Sequence, residues 1–257
     1  MTHWVRYRHQ GAIGFGTLAD GEITVHHGDM FDAPRANGHR LALADVDLLS
    51  PTAPSKVIAL WNNFHALAAK LGVAEPKDPL YLLKAPSSVT DPDAIVARPR
   101  SYDGKIAYEG ELAIVIGKTC TNVSAKDADA YIHGYTCVND ITAADIIAKD
   151  ATFAQWARAK SFDGFCPFGP SIVSGIDPAK LVVRTLLDGA ERQSYPIADM
   201  IFSAQELVSR ISHDMTLEPG DIICCGTSLG VGTMKGPVNK VTVAIESIGE
   251  LHNELRQ

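Results

Sequence analysis

Glu109 and Glu111 stand two residues apart at the head of an apolar run, in the segment YEGELAIVIGK from Tyr108 to Lys118. In a strand, residues i and i+2 share a face, so this spacing predicts two carboxylates pointing the same way beside residues that demand burial. Like charges so placed repel, and each is expensive to take out of water. A hard cation between them resolves the conflict by keeping both groups ionised. Asp140, in VNDIT after the short apolar run GYTCV, is a third carboxylate that can converge on the pair. Three carboxylates make an oxygen site suited to Mg2+, Mn2+ or Ca2+ rather than zinc. Taken alone, the glutamate pair is equally compatible with a solvated strand edge.

Three other stretches hold chemistry-bearing residues. In AKSFDGFCPFGP (Ala159 to Pro170), Lys160 and Asp163 flank aromatics among Gly and Pro. That composition predicts an irregular, rigid loop, where site residues are common, though a surface ion pair fits the spacing as well. In LEPGDIICCGTSLGVG (Leu217 to Gly232), a Pro219-Gly220 turn feeds a strand and then a glycine-rich loop. Backbone N–H groups around Gly226 and Thr227 can face an anion such as a carboxylate, and the same glycines also suit a tight turn. The loop is neither G-x-G-x-x-G nor a Walker loop. His65, in WNNFHALAAK, is the one histidine of nine beside an otherwise apolar, helix-prone stretch. Its ordinary pKa suits proton transfer, although an isolated histidine is more often structural. There is no G-x-S-x-G and no Cys–His nucleophile signature.

These residues need a scaffold, and the composition supports one. The chain has 257 residues, 46% hydrophobic and 21% charged, enough for one large domain or a main domain with a small partner. Its formal charge of −7 argues against nucleic acid or an anionic membrane as partner. No apolar stretch reaches the roughly 20 residues of a membrane span. MTHWVRYRHQ at the start is no signal core. Five cysteines without a C-x-x-C pair read as small buried thiols of a cytoplasmic protein.

Along the chain, residues 1–50 read as short strands, with Ala-Asp-Gly between two alternating runs as a hairpin signal. LLSPTAPSK reads as a boundary, giving a small N-terminal β domain over 1–53 and a larger domain over 54–257. KVIALW predicts a strand. NNFHALAAKLG predicts a helix capped by Asn62 or Asn63 and ended by Gly72. SAKDADAYIHGY predicts a short capped helix ending at Gly134. SAQELVSRISHDM predicts a helix opened by a capping box of Ser203 and Glu206. With VNKVTVAIESIG as a last strand and no regular βαβ alternation, the expected class is α+β, mostly β.

The strings YEGELAIVIGK, GYTCVNDIT, QWARAKSFDGFCPFGP and LEPGDIICCGTSLGVG, in this order, resemble the fumarylacetoacetate hydrolase family over about residues 56 to 245. The resemblance implies a mixed β-sandwich roll after the N-terminal β domain, a homodimer, and one divalent metal per subunit, Mg2+ or Mn2+ with Ca2+ as a further option. By position, Glu109, Glu111 and Asp140 would be the metal ligands. Lys160 would be the catalytic cation facing substrate, and Thr227, with the nearby amide of Gly226, would hold a substrate carboxylate. Members act on 2-oxo and 2,4-dioxo acids by hydrolysing, decarboxylating or isomerising them.

The sequence also departs from that family's pattern. Many members carry N-Y-x-x-H-x-x-E on a short lid helix, where the His–Glu pair activates water. Aligned on Asn63-Phe64, those positions are Leu67 and Lys70, which leaves His65 as the candidate base. Arg and Gln positions after the metal aspartate are Ala144 and Ile147, so Lys84 and Arg158 are the candidate replacements for the lost charge. The reading is a metal-dependent enzyme on such an acid in aromatic catabolism, with hydrolysis of an acylpyruvate-type C–C bond first. Isomerisation or decarboxylation of ring-cleavage dienoates or oxaloacetate comes second. A metal-binding protein with little catalysis comes third.

Overall fold

Two-residue turns organise the start of the chain. In the computed structural model, which describes residues 1–257, Gln10-Gly11 and Asp20-Gly21 all have positive φ, at 49°, 83°, 50° and 76°. That is the type I′ pattern, whose twist matches the strands it joins. The strands are Thr2–His9, Ala12–Ala19 and Glu22–Asp29, and Asp32–Ala42 continues the antiparallel meander. Thr2–His9 then pairs antiparallel with Cys166–Ser174, Thr2 opposite Ser174. The meander is thereby continuous with the large sheet of the rest of the chain.

Beyond Cys166–Ser174 that sheet runs through Ile132–Asn139, Gly110–Ile116, Ile222–Cys224, Val57–Trp61 and Leu80–Lys84. Val57–Trp61 and Ile222–Cys224 are parallel, Cys224 opposite Ala59. A five-stranded sheet runs Ala190–Pro196, Val182–Leu187, Val238–Ile245, Gly249–Arg256 and Ile95–Ala97. A third, small sheet joins Thr142–Ala143, Ile106–Tyr108 and Gly232–Thr233. The class is α+β and mostly β, as expected.

All seven residues of Gly110–Ile116 are buried. Leu112, Ile114 and Ile116 enter the main core, between the large sheet, the five-stranded sheet's Val243 and Leu251, and the helix residues Leu207 and Ile211. Ala113 and Val115 point to the other face, against Val57, Ala59, Ile222 and Phe168. Covered on both faces, the strand needs no polar alternation, which explains the unbroken apolar run.

The helix Ala204–Asp214 forms with the predicted capping box, the Ser203 hydroxyl accepting from the Glu206 N–H while the Glu206 carboxylate accepts from the Ser203 N–H. Ser203→Ala is expected to cost about 1 kcal/mol of stability, read as a lower denaturant midpoint. An unchanged midpoint would show that the cap contributes nothing.

Other elements differ from expectation. The helix near residue 65 is His65–Leu71, entered through Phe64 with no side-chain cap and ended by Gly72 at φ 66°. Asn62 and Asn63 do not cap it, because their amides are used elsewhere. Asn62 donates to Ala74 O, and Asn63 donates to Cys225 O while accepting from the Phe202 N–H. The expected helix before Gly134 is a single 3-10 turn, Ala128–Tyr131, and Gly134 lies inside Ile132–Asn139. A Cβ at Gly134 would come within 2.5 Å of Val173 O, so this glycine serves a close strand approach and not a helix end. Lys160 is not in a loop: it ends the short helix Trp156–Lys160. All five cysteines are free and buried. No helix is long and apolar enough to cross a membrane.

Candidate metal centre

Glu109 and Glu111 are brought together in a way the strand spacing does not describe. Ile106–Tyr108 belongs to the small sheet and Gly110–Ile116 to the large one, so Glu109 sits at the joint between two strands. Its backbone is fixed there by Asn139, whose side-chain oxygen accepts from the Glu109 N–H at 3.1 Å, and by the Asp140 N–H, which donates to Glu109 O at 2.8 Å. Gly110 is needed at the joint, since a Cβ would lie 2.0 Å from the Thr185 hydroxyl. One carboxylate oxygen from each of Glu109, Glu111 and Asp140 lies within 4.8 Å of the others.

Each acid has its own partners. Asp140 is fully buried and takes both lysines, Lys84 on Oδ1 and Lys160 on Oδ2. Lys160 also donates to Glu109 Oε2 at 2.9 Å, and the Thr142 hydroxyl lies 2.8 Å from Glu109 Oε1. Glu111 is fully buried and accepts only the Gly226 N–H, at 2.9 Å on Oε2. Its Oε1 is buried with no partner.

The electrostatics follow from this census. Burial pushes the Glu111 carboxyl well above the usual range, Asp140 and Glu109 add to the rise, and Lys160 and the Gly226 amide only partly oppose it. Burial also works against Asp140, but its two lysines outweigh it and hold its pKa down. Burial alone would lower Lys160; Asp140, Glu109 and Glu111 overcome it and keep the ammonium charged. With all three carboxylates ionised, two ammoniums would leave one net negative charge in a buried cluster, and the raised Glu111 pKa is the response to it. A buried carboxylate oxygen without a donor costs free energy unless something positive faces it. The residues therefore fit a divalent cation, and the all-oxygen set suits a hard one.

The other predicted residues are placed as follows. Thr227 stands beside the cluster, but its hydroxyl accepts from Gln193 Nε2 at 2.8 Å and lies 3.2 Å from Gly110 O. The Gly226 amide, expected to face substrate, is given to Glu111. Gly226 has φ 90°, and the turn it makes aims that N–H inward. Lys84, expected to face substrate, is fully buried between Asp140 and Phe165 O. Arg158 is exposed on the helix that carries Lys160, two residues away and thus on another side. Asp163 carries no ligand atom of the cluster. His65 is half exposed, its Nδ1 2.6 Å from Glu75 Oε1, and the structure pairs it with that glutamate and not with the cluster. Leu67 packs on the main core and Lys70 is exposed.

Sequence reasoning missed Thr142, Gln193 and Tyr195. Thr142 is opposite Ala107 in the small sheet, and that pairing brings its hydroxyl to Glu109. Gln193 accepts from the Gly110 N–H, and the Tyr195 hydroxyl donates to Gly110 O at 2.6 Å. They lie more than 80 residues from Gly110 in a strand of the other sheet, and nothing local marks them.

The fumarylacetoacetate (FAA) hydrolase C-terminal family model matches residues 56–256. The chain belongs to the fumarylacetoacetate hydrolase family. Residues 2–51 match a second model, Rv2993c-like, N-terminal. Among similar members of the family is oxaloacetate tautomerase YisK of Bacillus subtilis, 40% identical over 83% of this chain and 74% of its own. A 2-hydroxyhepta-2,4-diene-1,7-dioate isomerase of Mycobacterium marinum superposes with a TM-score of 0.90 at 35% identity, covering 100% of this chain and 98% of that one. A maleylpyruvate hydrolase of Sphingobium sp. SYK-6, solved with manganese(II) ion and pyruvate, gives a TM-score of 0.79 at 26% identity, covering 100% and 99%. The family thus holds tautomerases, isomerases and hydrolases on one fold.

Proposed function

We propose that this protein is a divalent-metal-dependent enzyme that acts on a 2-oxo or 2,4-dioxo acid through its enolate, with proton transfer or decarboxylation as the reaction. The observation that carries this reading is the unpartnered, buried Glu111 Oε1 within a cluster of three carboxylates, with a charged Lys160 against them. The names of the tautomerase and isomerase relatives support it.

Glu109, Glu111 and Asp140 would hold the cation, Mg2+ or Mn2+. When bound, it supplies positive charge to the carboxylate and 2-oxo oxygens of the acid, where an enolate's charge collects. Lys160 adds a second positive charge that the surrounding carboxylates keep protonated. Two of its three N–H groups go to Glu109 and Asp140, which leaves one for an oxygen of the acid. Lys84 holds Asp140 from behind. For isomerisation, solvent takes a proton from the carbon beside the 2-oxo group, the electron pair spreads onto the oxygen, and a proton is returned to that oxygen or to the far carbon of the conjugated system. For decarboxylation, the breaking C–C bond leaves the same pair. Neither route needs an activated water.

Hydrolysis of an acylpyruvate, the first expectation from sequence, is the second reading. His65 and Glu75 favour it, because an imidazole at 2.6 Å from a carboxylate has the form of a general base with its orienting acid. Oxaloacetate and a set of acylpyruvates, each with Mg2+ or Mn2+, separate the two by enol absorbance and product identity. We expect faster keto–enol exchange or loss of carbon dioxide from oxaloacetate, abolished by EDTA and unaffected by His65→Ala. Release of pyruvate from an acylpyruvate that disappears in His65→Ala would establish hydrolysis instead. If no acid is turned over while metal binds, the chain is a binding protein.

A further inference from the structure

Two half-buried tryptophans, Trp61 and Trp156, pack against each other beside the elements of the acidic cluster. Trp61 is the last residue of Val57–Trp61. Alternate residues of that strand, Val57 and Ala59, share a core with Ala113 and Val115 of the strand that carries Glu111. By the period of two, Trp61 and Glu111 lie on the same sheet face. The register places Ala113 opposite Cys224 and Cys224 opposite Ala59. The strand Ile222–Cys224 stops there, and the chain between Glu111 and Trp61 turns through Gly226, whose N–H reaches Glu111. Two strand spacings put Trp61 about 10 Å from Glu111.

Trp156 approaches from the other side. It starts the helix that ends in Lys160, four residues on, so the two share a helix face. The ring centroids of Trp61 and Trp156 are 5.7 Å apart and tilted by 48°. The two rings touch, so they form a wall and not a slot. Neither lysine of the cluster is free to hold a second anion there. Lys84 and Lys160 are committed to carboxylates, and Arg158 lies on another side of the Lys160 helix and is exposed.

We propose that Trp61 and Trp156 are a specificity wall for the distal group of the substrate, and that this group is a flat aromatic or unsaturated hydrocarbon and not a second carboxylate. The assignment rests on the reading of the cluster as a 2-oxo acid site. Aromatic rings favour such partners through apolar burial and edge-to-face contact.

The test measures binding, so it does not depend on turnover. Three probes without a cleavable dioxo bond share one head and differ in tail: 2-oxo-4-phenylbutanoate, 2-oxopentanoate and 2-oxoglutarate. Each is titrated by calorimetry into wild type, Trp61→Ala and Trp61→Phe in saturating Mg2+. Wild type should bind the phenyl probe about tenfold more tightly than either other probe, equivalent to ~1.4 kcal/mol. Trp61→Ala should lose that preference and keep 2-oxopentanoate binding within about twofold, while Trp61→Phe keeps most of it. Tightest binding of 2-oxoglutarate, equal loss for all three probes, or a preference that survives in Trp61→Ala would overturn the wall. Trp156→Leu repeats the comparison should Trp61→Ala fail to fold. If none of the probes binds metal-loaded protein, the 2-oxo acid reading itself fails.

Discussion

Glu111→Gln is expected to abolish divalent-cation binding and turnover while making the metal-free protein more stable. The two effects have opposite signs because one cause underlies both. In the metal-free protein Glu111 must carry either a third negative charge among only two ammoniums or a proton that it holds less readily in the unfolded chain, and one of its oxygens has no donor. A neutral amide keeps the shape, still accepts the Gly226 N–H, and turns the unpartnered atom into a donor facing carboxylates. Relief of that repulsion should be worth about 1–3 kcal/mol, since close charges interact by a few kcal/mol even at a high effective dielectric. In EDTA the variant should melt a few degrees above wild type. With Mg2+ or Mn2+ present the order should reverse, because only wild type gains stability from binding. Turnover should fall by roughly a thousandfold or more. Calorimetry with Mn2+, melting curves with and without EDTA, and an oxaloacetate turnover assay read the three. Retained cation affinity, or a variant less stable in EDTA, would show that Glu111 is not the strained member of the site.

Lys84→Met is expected to be among the most damaging single substitutions to stability, at about 3–5 kcal/mol. Lys84 is fully buried and its ammonium is spent on Asp140 and Phe165 O. Burial alone would drive its proton off, and the Asp140 charge more than compensates. Methionine fills much of the same space but leaves Asp140 with a bare oxygen and the cluster with two net negative charges. Denaturant unfolding of the metal-free variant should show the loss directly. A loss under 1 kcal/mol would mean that Asp140 is neutral in the folded protein. Double replacement with Asp140→Asn should recover much of the cost, because it removes the abandoned charge with its partner.

The chain's outline was readable where local chemistry is self-sufficient. Ser203 and Glu206 close their capping box within one turn, and Asp20-Gly21 makes its hairpin with no outside help. The continuous run from Leu112 to Ile116 announced a strand anchored in the core. The three acids were readable as a converging set, and the fold brings one oxygen of each within 4.8 Å of the others. Reading failed where a residue's role is decided by a distant partner. Asn62 and Asn63 look like caps, but long-range bonds to Ala74, Cys225 and Phe202 claim their amides. Lys84 looks like a free charge until the fold places Asp140 against it. Gly226 looks like an anion-binding amide, and it is one, but the anion is Glu111 of the same chain.

The bonds that hold the carboxylates have a kinetic consequence. Lys160 to Glu109 spans 51 residues of chain, Lys84 to Asp140 spans 56, and Gly226 to Glu111 spans 115. The hairpins at the start of the chain close loops of two residues. Loop-closure entropy rises with the length enclosed, and folds dominated by non-local pairing form slowly. The hairpins can therefore be in place long before the acidic cluster is assembled. A partly folded chain carries three separated, solvated carboxylates, which have little hold on a cation. On the proposed reading of the cluster, cation affinity would arrive only with the finished topology, and in a refolding experiment it would follow the first collapse.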